Sequence, residues 1–287
     1  MFWSQSESTT GLGDIMSVLY RLLLFTVIVY AGYALVLMLF QRNLLYPGRT
    51  LTPQAIPSGV ASGAEKFWII TSFGKVEARL ALSNSTAKQP AVIYFHGNGE
   101  LVDNLTPELE ILKKAGFAVM LVEYPGYGHS SGRPKEATLA ETAVAAYDML
   151  VQRSEIDSTR IVSFGFSLGS YPAVALAVAR PVRALVLAAP VASLRPFASS
   201  RFLPSFLLYD KYDNSRLVKA YKGPVLVIHG ISDAIMPFWH GKELASAAEN
   251  ARFVSLQADH NDLMDSKQFW DEVVRFLQNE KVAEKSR

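Results

Sequence analysis

Residues 165–169 read Gly-Phe-Ser-Leu-Gly, between the apolar run Arg160-Ile161-Val162-Ser163-Phe164 and a small-residue run at 170–179 suited to a helix. A serine in this context sits on a sharp strand-to-helix turn, with its hydroxyl lifted into a cleft. Glycines two before and two after it relieve the crowding that such a turn creates. Chance supplies the bare pentapeptide in roughly one chain in ten, so its meaning depends on what surrounds it.

What surrounds it is an alternation. Strands are predicted at 66–71 and 76–82, joined through Phe73-Gly74, and at 91–95, 117–122, 184–188, 224–228 and 253–256. Helices are predicted at 101–115, 135–152, 242–248 and 262–278. The unbroken apolar character of 91–95 marks a strand buried on both faces. The expected fold class is therefore α/β, a mostly parallel sheet flanked by helices over residues 65–280, with a polar tail at 281–287. The Phe- and Leu-rich interval 190–223 breaks the rhythm and is expected to form a short cap over the substrate, with Phe197, Phe202 and Phe206 as its lining.

The N-terminus is a separate object. Residues 22–40 carry no charge and are long enough to cross a bilayer core as a helix. Their apolar side chains favour insertion by ~5 kcal/mol in sum. An uncleaved transmembrane anchor is expected over 15–41, since the run is too long for a signal peptide and no small-x-small site closes it. Arg21 can snorkel to the headgroups, and Tyr20 and Tyr46 are the expected interfacial aromatics. Residues 1–14 are expected to be a disordered tail and 42–64 a linker. Arg42 and Arg49 follow the span while Arg21 precedes it, a one-residue lean toward a cytoplasmic C-terminal domain.

Composition narrows the chemistry. A net charge of +2, without a basic aromatic stripe, argues against a nucleic-acid partner. The chain has no cysteine, which excludes disulfides, thiolate metal sites and a cysteine nucleophile. The histidines lack paired ligand spacing and no Gly-rich phosphate loop follows the first strand, so neither a metal nor a nucleotide cofactor is expected.

A serine hydroxyl needs a base, and the base needs an orienting group. Of the five histidines, only His260, in Ala258-Asp259-His260-Asn261-Asp262, follows the last strand and fits the chain order nucleophile, acid, histidine. Asp233, in His229-Gly230-Ile231-Ser232-Asp233, is the acid on a strand-end loop; Asp210, Asp213 and Asp259 are weaker rivals. An oxyanion needs backbone donors. Leu168 offers one N–H, and Asn98, in the turn His96-Gly97-Asn98-Gly99, offers the second. His96 and Gly97 are expected to brace that turn.

Taken together, the His-Gly-x-Gly turn, Tyr124-Pro125-Gly126-Tyr127-Gly128-His129-Ser130-Ser131-Gly132, the Gly-x-Ser-x-Gly elbow, His-Gly-x-x-Asp and the late His-Asn-Asp resemble an α/β-hydrolase superfamily serine hydrolase. The apolar span leading into Phe40-Gln41-Arg42-Asn43-Leu44-Leu45-Tyr46-Pro47 is similar to membrane-anchored α/β-hydrolase domain-containing proteins. The resemblance implies Ser167 as nucleophile, His260 as general base and acid, Asp233 as orienter, and esters or thioesters, including lipids or lipidated proteins, as substrates. Glu123 departs from the Asp that related enzymes often carry there, an expected change in loop bracing. Two other readings stand beside it. One is a serine peptidase of the prolyl-oligopeptidase-like type, disfavoured because this length leaves no room for the usual accessory domain. The other is a non-catalytic membrane-bound binding protein on the same fold. Oligomeric state is left open.

Overall fold

The structure is a computed structural model that describes residues 10–53, 64–84, 87–104 and 109–282. Strands β1 (Glu65–Thr71), β2 (Gly74–Ala81), β3 (Gln89–Phe95), β4 (Ala118–Val122), β5 (Ile156–Phe166), β6 (Ala184–Ala188), β7 (Val225–Gly230) and β8 (Ala251–Leu256) form one sheet. Their spatial order is β1-β2-β4-β3-β5-β6-β7-β8. The β1–β2 and β2–β4 pairs are antiparallel and every later pair is parallel.

Alternation along each strand divides the core in two. Ala91, Ile93 and Phe95 face one layer, packed under α3 (Glu136–Leu150), α4 (Ser170–Ala179) and α7 (Trp239–Ala247). Val92 and Tyr94 face the other, under α2 (Glu110–Lys114) and α8 (Lys267–Asn279). Both faces of the central strands are thus apolar, as a parallel sheet covered on two sides requires. In α8, Phe269, Trp270, Val273, Phe276 and Leu277 make one buried stripe at helical spacing.

Some boundaries differ from expectation. The helix expected over 101–115 is a single 3₁₀ turn, Val102–Asn104, then α2, with 105–108 outside the described residues. Asp103 is turned inward to Arg79 at 2.5 Å, which draws the chain onto β2 rather than along a helix axis. Strand β5 runs to Phe166, directly against Ser167.

The N-terminal segment differs most. Helix α1 (Thr10–Leu45) begins inside the expected tail and continues past residue 41; residues 1–9 lie outside the described residues. Its stretch Gly13–Leu45 is long and apolar enough to cross a membrane. The expected linker is docked at its start: Tyr46 is buried in the core rather than interfacial, with its hydroxyl against that of Tyr212, and Pro47–Thr50 form a 3₁₀ turn. Residues 54–63 of that linker and 283–287 of the polar tail lie outside the described residues.

The expected cap contains α5 (Arg195–Ser200), α6 (Asn214–Leu217) and two 3₁₀ turns. It lies along α1. Tyr30 and Tyr33 donate their hydroxyls to the carbonyls of Phe202 and Arg201 at 2.8 and 2.9 Å. Gln41 Nε2 donates to Leu207 O at 3.1 Å, and Arg42 forks onto Asp210 at 2.8 and 3.3 Å. Ala34 packs with Ala198 and Leu203.

Candidate active site

The parallel register gathers the site. Phe95 lies beside Gly165, Phe166 beside Ala188, Ala188 beside Ile228, and Gly230 beside Leu256. The turns leaving β3, β5, β7 and β8 therefore open on one edge, the carboxyl edge where open α/β sheets bind ligands. These turns carry Asn98, Ser167, Asp233 and His260.

Ser167 has φ 52°, a left-handed conformation rare for a side-chain-bearing residue. Close approach permits nothing larger than glycine on either side: a Cβ on Gly165 would meet Gly169 O at 2.3 Å, and one on Gly169 would meet Phe95 O at 2.1 Å. The strand and helix are pressed together there, and the serine occupies the strained apex between them.

The structure brings Ser167, His260 and Asp233 into one hydrogen-bonded chain. Ser167 Oγ is 2.9 Å from His260 Nε2, and His260 Nδ1 is 2.7 Å from Asp233 Oδ2. All three are buried. Burial acts to raise the Asp233 carboxyl, but hydrogen bonds from His229, His260 and the Met236 N–H outweigh it and hold the group well below the usual carboxylate range. Its Oδ1 accepts the N–H groups of Ile235 and Met236 at 3.0 and 2.7 Å. An ionised Asp233 accepts a hydrogen bond from Nδ1–H, leaving the Nε2 lone pair free to accept the Ser167 hydroxyl. The Phe166 ring lies 5.2 Å from that of His260.

The turn after β3 is held from several sides. Its Gly97 N–H is taken by Glu100 Oε2 at 2.6 Å, whereas no acceptor meets the Asn98 N–H among the described residues. Asn98 O accepts the Gly48 N–H at 3.1 Å and the Tyr127 hydroxyl at 2.9 Å, and Asn98 Nδ2 donates to Leu45 O at 3.0 Å. His96 is fully buried beneath. Its Nδ1 lies 2.7 Å from Gly97 O, its Nε2 2.9 Å from Glu123 Oε1, and its carbonyl accepts the Tyr124 hydroxyl. Burial tends to lower the His96 pKa, but the Glu123 carboxylate more than offsets this and raises it. Glu123 also accepts the Val102 and Tyr124 N–H groups at 3.1 and 2.9 Å. The Glu123 carboxylate ties the connection after β3, at His96 and Val102, to the start of its own loop after β4. Leu168, one residue past Ser167 in the 3₁₀ turn Ser167–Gly169, is buried.

The rival residues are engaged elsewhere. Asp210 pairs with Arg42, Asp213 with Arg195, and Asp259 accepts its neighbour's own N–H. Phe197 stacks on His240 at 5.3 Å, while Phe202 and Phe206 stand exposed beside α1. Two of the three expected cap phenylalanines thus lie beside α1, and the third packs on α7. Glu77, Asp103 and His129 also cluster, a grouping not foreseen from histidine spacing. Arg79 and Lys66 already occupy it: Arg79 reaches Glu77 and Asp103 at 3.0 and 2.5 Å, and Lys66 reaches Glu77 at 2.9 Å. Two cations balance two carboxylates there, which leaves poor electrostatics for a metal. Sequence reasoning missed Glu100, His229 and the Leu45–Gly48 clasp; the first two were visible only as polar residues near Gly, and the third carried no signal.

The family model for the alpha/beta hydrolase fold matches residues 90–218. An uncharacterised protein of Mycobacterium tuberculosis is 41% identical over 197 residues, 66% of this chain and 69% of that one. The alpha/beta hydrolase domain-containing protein WAV2 of Arabidopsis thaliana is 29% identical over 282 residues, 88% of this chain and 91% of that one. Among solved structures, the ferulic-acid complex of Est1E from Butyrivibrio proteoclasticus superposes with TM-score 0.65 at 17% identity, covering 75% of this chain and 99% of that one.

Proposed function

This chain belongs to the α/β-hydrolase superfamily, and on that premise we propose that it is a membrane-anchored serine hydrolase cleaving carboxylic esters or thioesters with an apolar acyl part. The observation that carries this reading is the Ser167–His260–Asp233 chain, at 2.9 and 2.7 Å, on a serine with φ 52°. Ser167 Oγ attacks the acyl carbon as His260 Nε2 takes its proton. Asp233 stabilises the imidazolium through Nδ1. The carbonyl oxygen becomes an oxyanion held by the N–H groups of Leu168 and Asn98. Collapse expels the alcohol or thiol, protonated by His260, and leaves an acyl-Ser167 ester. Water then attacks that ester with His260 again as base, releasing the acid and restoring the serine.

Support for the anchor comes from α1, whose apolar stretch leads directly into the domain. Support for the oxyanion assignment comes from the Asn98 N–H, which has no acceptor among the described residues beside a Gly97 N–H that has one.

The test uses the full chain in detergent or nanodiscs, with p-nitrophenyl esters of increasing chain length and a fluorophosphonate probe. Wild type is expected to hydrolyse the esters, favour longer acyl chains, and label on Ser167. Ser167→Ala is expected to abolish labelling and lower kcat by at least ~10⁴. A Ser167→Ala protein with wild-type esterase activity would end the proposal, and a preference for the shortest esters would end its apolar part.

A further inference from the structure

We infer that residues 201–208 form a second membrane contact, seated in the leaflet at the C-terminal end of α1 with Phe202 and Phe206 in the lipid. The inference rests on α1 being a membrane anchor.

The sequence of the segment is Arg201-Phe202-Leu203-Pro204-Ser205-Phe206-Leu207-Leu208. Phe202 and Phe206 are 80% and 77% exposed, an unusual state for large apolar side chains in water. Phe202 itself has φ 53°, a conformation costly for an aromatic residue.

The position along α1 indicates what covers them. The uncharged run 22–40 of α1 spans about 28 Å at 1.5 Å per residue, close to a hydrocarbon core. The segment meets α1 at the end of that run, where Gln41 donates to Leu207 O. It also meets the helix within the run, at Tyr30, Tyr33 and Ala34. A charged contact follows at Arg42, which pairs with Asp210. Elsewhere around the same turns, Leu35, Val36, Leu39 and Phe40 are exposed as well. Were this level of α1 in water, apolar surface would face solvent on the helix and on the segment alike. In lipid, both are satisfied together.

Arg201 sets the depth. Its guanidinium donates to Phe197 O at 3.2 Å, and its charge must reach the headgroups. From Tyr30 to Gln41 is about 16 Å along α1, so the segment runs from near mid-span to the end of the uncharged run, and the Arg201 stem snorkels toward the headgroups from there. The tie from Asn214 Nδ2 to Val191 O and Ser170 Oγ, at 2.8 and 3.2 Å, joins the same insertion to the start of α4, behind Ser167.

The chain lacks cysteine, so one can be introduced as a unique label site. Full-length Phe206→Cys and, as a control on an exposed loop, Ser154→Cys are each labelled with an environment-sensitive fluorophore and reconstituted into phosphatidylcholine vesicles containing doxyl-labelled lipid. The label at 206 is expected to shift to the blue and to be quenched at least about twofold more than the label at 154. Flotation of the same samples separates the two readings. Protein that floats with vesicles but shows equal quenching at both positions overturns the membrane seat and leaves the anchor standing. Protein that does not float overturns both.

Discussion

Gly48, in the turn that follows α1, donates its N–H to Asn98 O at 3.1 Å from a position with no room for a side chain. A Cβ there would stand 2.1 Å from Tyr127 Cε1 and 2.9 Å from Asn98 O. The Asn98 amide returns the contact by donating to Leu45 O. The turn proposed to hold the oxyanion is therefore clasped by the chain that emerges from α1.

Gly48→Ala should displace that clasp without touching Ser167, His260 or Asp233. Small misplacements of catalytic donors are costly, so kcat is expected to fall about 10–100-fold with KM little changed. Steady-state kinetics beside a thermal melt check this. An unchanged kcat in a folded variant would remove any role for the clasp.

Asp233→Asn keeps the shape of the side chain, and its oxygen can still accept the Ile235 and Met236 N–H groups. It loses the charge that selects the Nδ1-protonated form of His260. A kcat lower by ~10⁴ is expected, with fluorophosphonate labelling slowed in parallel and the far-ultraviolet dichroism retained.

His240 predicts a pH dependence of stability. It is fully buried; burial, and then its neighbour His229, push its pKa down to about 4. Its Nδ1 accepts the Ala192 N–H at 3.0 Å, so the neutral ring carries its proton on Nε2, between the Phe197 and Trp239 rings. The unfolded histidine takes up a proton near pH 6.5 and the folded one refuses it until about pH 4. Stability is therefore full above pH 6.5 and falls through that window by about 1–3 kcal/mol. Asp233, whose carboxyl is also held low, adds a further loss below the ordinary carboxylate range. Urea titrations from pH 7 to pH 4 should show the slope in wild type and a flatter one in His240→Leu.

Arg79 sits with Glu77 and Asp103 in a buried cluster. Burial raises the Asp103 pKa, and Arg79 opposes that rise. Arg79→Met removes the guanidinium that bridges two buried carboxylates, and about 3–5 kcal/mol of stability should be lost. The additional change Asp103→Asn should return part of it. Chemical denaturation of both variants checks this, with activity of the folded protein expected to stay close to wild type.

The strand–helix alternation was legible because it is written in periodicity. Ala91 to Phe95 are apolar at every position, and α8 repeats at helical spacing. The elbow was legible because Gly165 and Gly169 are demanded by close approach, a local requirement that leaves a local signature. The order of Ser167, Asp233 and His260 along the chain was readable too. That the three meet was decided by the parallel register, which brings the ends of β5, β7 and β8 to one edge, with β6 between the first two. The apolar character of 22–40 and of 201–208 was equally plain, but hydrophobicity carries no direction. Only the tertiary structure laid the second segment along the first, through tyrosine hydroxyls that donate to backbone carbonyls about 170 residues away and leave no trace in composition. Gly48 and Asn98 are alike in this: a glycine among many, and an asparagine in a turn, became a clasp because the chain after α1 returns to the edge of the sheet.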